Sequence, residues 1–237
     1  MHSEEAERLK KKWEREVQNN PLDKNAWLTL GSAYYDLGNY HMAVECWKKV
    51  IEIDPQNEAA WNNLGFAYDD LDDYQNAVAC YEKAVEIDPQ NETTWNNLGS
   101  SYTDLENYVE AVECYEKALQ INPQDTDVWN NLGIAYEKFG DYEKAIKCYE
   151  KALQIDPNYT LARDNLNELR LNVSPIIDQG KTFSATFKEI IEKIPEKLKK
   201  DPSMQGSRGI FCPTCGFKNA PNELFCNNCG TELYDSL

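Results

Sequence analysis

The string Trp-x-x-Leu-Gly-x-x-Tyr occurs four times in this chain, beginning at Trp27, Trp61, Trp95 and Trp129, always 34 residues apart. No other feature constrains the fold as much. A unit this short cannot bury a core alone, so copies at a fixed period must stack on one another into a solenoid. A solenoid offers a long concave surface rather than an enclosed pocket. The first functional question is therefore what binds, not what reacts.

The period divides the chain into units at 24–57, 58–91, 92–125 and 126–159. Tryptophan falls at unit position 4, leucine at 7 (Leu30, Leu64, Leu98, Leu132), glycine at 8 (Gly31, Gly65, Gly99, Gly133) and tyrosine at 11 (Tyr34, Tyr68, Tyr102, Tyr136). That spacing marks one buried face of a first helix. Alanine at position 20, an aromatic at 24 (Trp47, Tyr81, Tyr115, Tyr149) and a small residue at 27 give a second helix its own stripe. Pro55, Pro89, Pro123 and Pro157 close each unit at position 32, where the ring ends a helix.

This pattern resembles the tetratricopeptide repeat at every signature position in all four units. The resemblance implies an all-α fold, a right-handed superhelix of antiparallel helix pairs. Gly38 and Gly140 sit at the turn between helices, where a left-handed backbone is usual. Asp72 and Glu106 replace glycine in the middle units, so strained or rearranged turns are expected there. Residues 1–23 read as an N-terminal capping helix, with Trp13 and Pro21 at the spacing of positions 24 and 32. Residues 160–173 read as a C-terminal capping helix, with Leu161, Leu166 and Leu169 among polar residues.

In arrays of this family the first helices line the groove, mainly through positions 2, 5, 6, 9, 12 and 13. Positions 5 and 6 here are Asn62-Asn63, Asn96-Asn97 and Asn130-Asn131, with Leu28-Thr29 in the first unit. An amide offers a donor and an acceptor to a peptide group, so these asparagines are candidates for holding an extended backbone. The competing reading is local helix packing. Asp36, Asp69, Asp70 and Asp104 add acid at positions 12 and 13. Between Lys24 and Tyr159 there are 25 Asp+Glu against 9 Lys+Arg, within a chain of net charge −17. The family's clamp for acidic carboxyl-terminal peptides needs basic residues at positions 2, 5 and 6, and this chain has none there. The expected partner is a protein or peptide segment that is extended and neutral or basic; acidity kept for solubility alone is the alternative. Non-specific nucleic-acid binding along so acidic a chain is disfavoured.

The eight cysteines fall into two groups. Cys46, Cys80, Cys114 and Cys148 all occupy position 23. Stacked helices hold such positions about 8–10 Å apart, too far for a disulfide, so they read as buried packing residues. Cys212-Pro-Thr-Cys215 and Cys226-Asn-Asn-Cys229 instead form two Cys-x-x-Cys knuckles at short spacing. That pattern suits tetrahedral thiolate binding of one structural Zn2+ and leaves no open position for catalytic water. A segment of this size also needs the ion to fold. Disulfide pairing is the rival. The segment looks like the small zinc ribbons common at the ends of archaeal and bacterial multidomain proteins. It also fits the Ran-binding-protein type of finger, but Ile210 stands where that type has tryptophan. The ribbon is assigned to 210–237.

Residues 174–209 join array to ribbon. Phe187, Ile190, Ile191, Ile194 and Leu198 have helical spacing among lysines and glutamates, divided by Pro195. This suits a helix that docks on protein, with a membrane-surface helix as the alternative. No phosphate loop, Gly-x-Ser-x-Gly or histidine-centred catalytic set occurs, and no stretch of about 18 apolar residues exists. The start, Met1-His2-Ser3-Glu4-Glu5, lacks an apolar leader core, so a cytoplasmic location is expected. The leading expectation is a non-enzymatic adaptor. The alternatives are a nucleic-acid- or transcription-associated factor acting through the ribbon, and occupation of the groove by the chain's own 184–200 segment.

Overall fold

The computed structural model describes the backbone of residues 2–177, 210–211 and 218–219, and the side chains of residues 7–172. Two compact units are distinguished, Met1–Pro175 and Ile176–Leu237. The amphipathic stretch at 184–200 and its linker lie outside the described residues.

The first unit is a run of helices: α1 His2–Asn19, α2 Lys24–Asp36, α3 Tyr40–Ile53, α4 Glu58–Asp69, α5 Tyr74–Ile87, α6 Glu92–Asp104, α7 Tyr108–Ile121, α8 Thr126–Phe139, α9 Tyr142–Ile155 and α10 Thr160–Ile177. The even-numbered helices from α2 to α8 are the first helices of the four units. Each of these starts on a side-chain cap. Asp23, Asn57, Asn91 and Asp125 accept from backbone N–H groups one turn ahead, satisfying donors that no helix carbonyl can reach.

Each first helix packs on the second helix of its own unit and on the second helix of the unit before. The glycine at position 8 makes the first of these contacts possible. A Cβ on Gly31 would lie 2.4 Å from Trp47 Nε1, and one on Gly65, Gly99 or Gly133 would lie 2.6, 2.7 or 2.5 Å from the ring of Tyr81, Tyr115 or Tyr149. Those rings are buried on the bare backbone, with Ala43, Ala77, Ala111 and Ala145 beside them at full burial.

The turn inside each unit has one geometry despite its changing residue. Gly38, Asp72, Glu106 and Gly140 have φ of 73°, 56°, 59° and 92°. In every copy the next N–H reaches back to the carbonyl of the motif tyrosine: Asn39 to Tyr34 and Asp73 to Tyr68 at 2.9 Å, Asn107 to Tyr102 and Asp141 to Tyr136 at 2.8 Å. The turns of the middle units are therefore strained, not rearranged. The closing bond holds Asp72 and Glu106 in a conformation that favours glycine.

Two further bonds recur between units. The indole N–H groups of Trp27, Trp61, Trp95 and Trp129 donate to the carbonyls of Pro21, Pro55, Pro89 and Pro123 at 2.9–3.0 Å. The tyrosine hydroxyls of Tyr34, Tyr102 and Tyr136 donate to Glu14, Glu82 and Glu116 on the preceding second helix. Helix α10 repeats both with arginine. Arg163 donates to the Pro157 carbonyl, and Arg170 pairs with Glu150 at 2.6 Å. Arginine keeps the hydrogen bond while tolerating the water that meets a terminal helix. Asn167, exposed, stands on α10 where the repeats have their glycine.

In the second unit, β1 Ile210–Phe211 and β2 Lys218–Asn219 pair antiparallel, with Ile210 opposite Asn219 and Phe211 opposite Lys218.

Gly99→Ala should cost about 1–3 kcal/mol in urea denaturation followed by helical circular dichroism, as an added methyl does in a filled site. Thr93→Ala, exposed on the same helix, should stay within about 0.5 kcal/mol of the parent. Glu106→Gly should raise stability by roughly 0.5–1 kcal/mol through relief of the left-handed turn.

Candidate groove and metal-ligand segment

Beyond contacts between neighbours in sequence, α4 touches α6 and α6 touches α8. First helices thus stand closer together than second helices do, and a stack closed on one side is concave there. Of the groove candidates on α4, α6 and α8, Asn62, Asn63, Asn96, Asn97 and Asn131 are partly buried and Asn130 is buried at 4% exposure.

The asparagine pairs bond across the unit boundaries. Asn131 Nδ2 donates to Asn96 Oδ1 at 3.1 Å, joining α8 to α6. Asn165 Nδ2 donates to Asn130 Oδ1 at 2.9 Å, joining α10 to α8. Position 6 of one unit thus donates to position 5 of the unit before. Asn165 was missed in the sequence because α10 lacks the tryptophan signature, yet it lies one period, 34 residues, beyond Asn131. At the next boundary Thr94 intervenes: its hydroxyl lies 3.2 Å from Asn62 Oδ1 and 3.0 Å from Glu58 Oε1. Asn97 Nδ2 is left buried without a protein partner. Leu28 ends the series, since it offers Asn63 no side-chain acceptor.

The pairing decides what each amide can still do. A position-6 asparagine has spent one N–H and keeps its oxygen; a position-5 asparagine has its oxygen engaged and keeps its N–H groups. The Asn131–Asn96 pair therefore keeps one acceptor and one donor fixed in orientation, whereas in the Asn165–Asn130 pair Asn130 is buried at 4% exposure.

The acids divide by environment. Asp36, Asp70 and Asp104 are exposed. Asp69 instead accepts from Tyr81 Oη at 2.8 Å and from Ser101 Oγ at 2.7 Å, bonding the aromatic of its own unit and the next first helix. Glu137 does the same for Tyr149 at 2.8 Å, and Thr103 meets Tyr115 at 3.4 Å. Position 12 is thus a partner for the ring at position 24. Burial pushes the Asp69 carboxyl above its usual range, opposed by its two hydrogen bonds, with Asp104 and Asp70 raising it further. Partial desolvation of the otherwise exposed Asp104, with Asp72 nearby, raises that carboxyl, and partial burial and Asp125 raise Glu92.

Burial pushes the thiols of Cys46, Cys80, Cys114 and Cys148 up to about 12, so they stay protonated at neutral pH. No group of three or more metal-binding side chains occurs among the described residues. Cys212, Cys215, Cys226 and Cys229 lie outside them. In sequence the first knuckle lies between the described strands β1 and β2, and an all-thiolate set suits zinc. No helix among the described residues is long and apolar enough to cross a membrane.

Residues 2–156 match the family model described as the cilia and flagella-associated protein 70 C-terminal domain, and residues 211–233 match the zinc-ribbon domain. Among solved structures, a crystal structure of MamA is 27% identical with a TM-score of 0.60, over 62% of this chain and 86% of that one. A second MamA structure is 26% identical with a TM-score of 0.60, over 64% and 82%. YrrB, described as a TPR protein with an unusual peptide-binding site, shares the fold at 21% identity and a TM-score of 0.63, over 68% of this chain and 84% of its own. No curated protein matches the chain significantly.

A carboxyl whose folded pKa is raised binds protons more readily in the native chain, so its contribution favours folding at low pH and is lost as pH rises through the raised value. Asp54 and Glu143 are shifted the other way by Lys24 and Lys147, but as exposed ion pairs they weigh little. The helical melting temperature should therefore rise as the pH is lowered from about 7.5 into the acid range where these carboxyls take up protons, and Asp69→Asn should weaken that rise. A melting temperature that falls over that range would contradict this.

Proposed function

The chain belongs to the family of the cilia and flagella-associated protein 70 C-terminal domain, a tetratricopeptide array joined here to a zinc ribbon, and on that premise we propose that it is a non-enzymatic adaptor. Its groove binds an extended neutral or basic segment of a partner protein. The observation that carries this reading is the set of cross-repeat amide pairs, Asn131 with Asn96 and Asn165 with Asn130. The partly buried Asn131–Asn96 pair offers the complement of a peptide group, and its orientation is fixed before the ligand arrives, so little side-chain freedom is lost on binding. Exposed Asp36, Asp70 and Asp104 disfavour an acidic segment.

We assign one structural Zn2+ to Cys212, Cys215, Cys226 and Cys229, where it ties the two knuckles together and supplies the folding free energy that so short a segment lacks. The compartment that suits a thiolate site and four protonated buried thiols is the cytoplasm.

An immobilised array of acidic, neutral and basic decapeptides tests the groove. The full chain should be retained on basic and neutral spots and not on acidic ones. The combined Asn63→Ala, Asn97→Ala, Asn131→Ala variant should lose retention about tenfold while keeping its helical dichroism, although losing the Asn131 bond costs about 1 kcal/mol of stability. Undiminished retention by the variant would discard the reading. For the ribbon, a thiol-modifying mercurial should release one zinc per chain. Cys226→Ser should release none and leave the helical signal intact.

A further inference from the structure

We propose that the groove section formed by the first two repeats is a subsite for an arginine side chain of the bound segment, stacked on Tyr35 and Phe66 and paired with Asp36 and Asp70. The inference rests on the groove reading above and adds what the groove selects.

This section departs from the rest of the groove in three ways. First, the amide pair is replaced by Leu28-Thr29, so the cross-repeat bonding that fixes amides for a main chain farther along is missing here. Second, an exposed ring stands at a groove position. Phe66, at position 9, is 38% exposed, where Ser32 and Ser100 stand in the first and third repeats. Its ring meets Tyr81 edge-on at 6.2 Å. Tyr35, partly buried, lies 5.2 Å from Tyr40 and 5.9 Å from Trp47, and its hydroxyl reaches Asp70, one helical turn on from Phe66. Third, the carboxylates beside the rings lack cations: no ion pair among the described residues involves Asp36, Asp69, Asp70 or Asp104. The Tyr35 hydroxyl donates to Asp70 Oδ2, and no hydrogen bond among the described residues uses Asp70 Oδ1.

An apolar ring left facing water in a concave surface, next to oriented and unneutralised carboxylates, fits a ligand that is flat, cationic and rich in donors. Guanidinium has all three properties. It stacks on aromatic faces, sheds water more easily than ammonium and meets a carboxylate through a planar fork. A lysine would satisfy the charge and leave the rings uncovered.

Three labelled decapeptides of glycine and serine test this with the full chain by fluorescence anisotropy. They differ only in carrying two arginines, two lysines or two neutral citrullines. Arginine should bind about tenfold more tightly than citrulline and at least about threefold more tightly than lysine. Phe66→Ser, which installs the residue of the first and third repeats, should abolish the arginine–lysine difference and leave the citrulline peptide unaffected. Asp70→Asn should shrink the arginine–citrulline ratio. Equal binding of arginine and lysine, or a preference that survives Phe66→Ser, would overturn the subsite. Citrulline binding that depends on Asn63, Asn97 and Asn131 without arginine preference removes the subsite alone. Failure of all three peptides to bind removes the groove reading with it.

Discussion

The contact between a bare glycine backbone on one helix and an aromatic ring on the next sets the geometry of the whole array. With the ring 2.4–2.7 Å from where a Cβ would stand, no other residue fits without displacement. That closeness brings the position-24 hydroxyl within reach of position 12, where Asp69, Thr103 and Glu137 receive it. The same residue can then reach the following repeat, as Asp69 does through Ser101. One steric requirement thus orders a helix pair, orients a carboxylate and ties neighbouring repeats.

Stacking between repeats uses a second device. The tryptophan indole closes each linker onto a proline carbonyl, an acceptor that the preceding helix no longer uses. In three repeats a tyrosine seven residues on reaches a glutamate of the previous second helix, and in the second repeat Tyr68 meets Lys48 instead. At α10 the arginines Arg163 and Arg170 make equivalent bonds with side chains compatible with water. The array therefore changes chemistry at its end without changing its hydrogen-bond plan.

Much of this was legible as periodicity. The period located the glycines, the rings and the buried cysteines, because each is a steric demand that recurs with every copy. The side-chain hydrogen bonds between successive first helices were not legible, because they join residues 32–36 apart whose side-chain directions depend on helix rotation. Asp69 read as an open groove acid, yet it bonds Tyr81 and Ser101. Thr94 gave no sign that it would take the acceptor Asn62 and orphan Asn97. Asn165 was visible only to someone extending the period past the last tryptophan. Left-handed turns at Asp72 and Glu106 were foreseeable as strain, whereas their uniform φ follows from the bond to the motif tyrosine.

The functional account depends on asparagines that serve stacking and ligand together. Amides held by their neighbours are pre-oriented; in the proposed groove the second N–H of Asn96 and the oxygen of Asn131 are the groups left for a peptide, while Asn130 is buried and serves the stack. The most direct measurement is nuclear magnetic resonance of the asparagine side-chain amides during titration with a basic extended peptide. The Asn96 and Asn131 amide signals should move first, together with backbone signals of α4, α6 and α8. Shifts confined to α5, α7 and α9, with those amides unmoved, would contradict it.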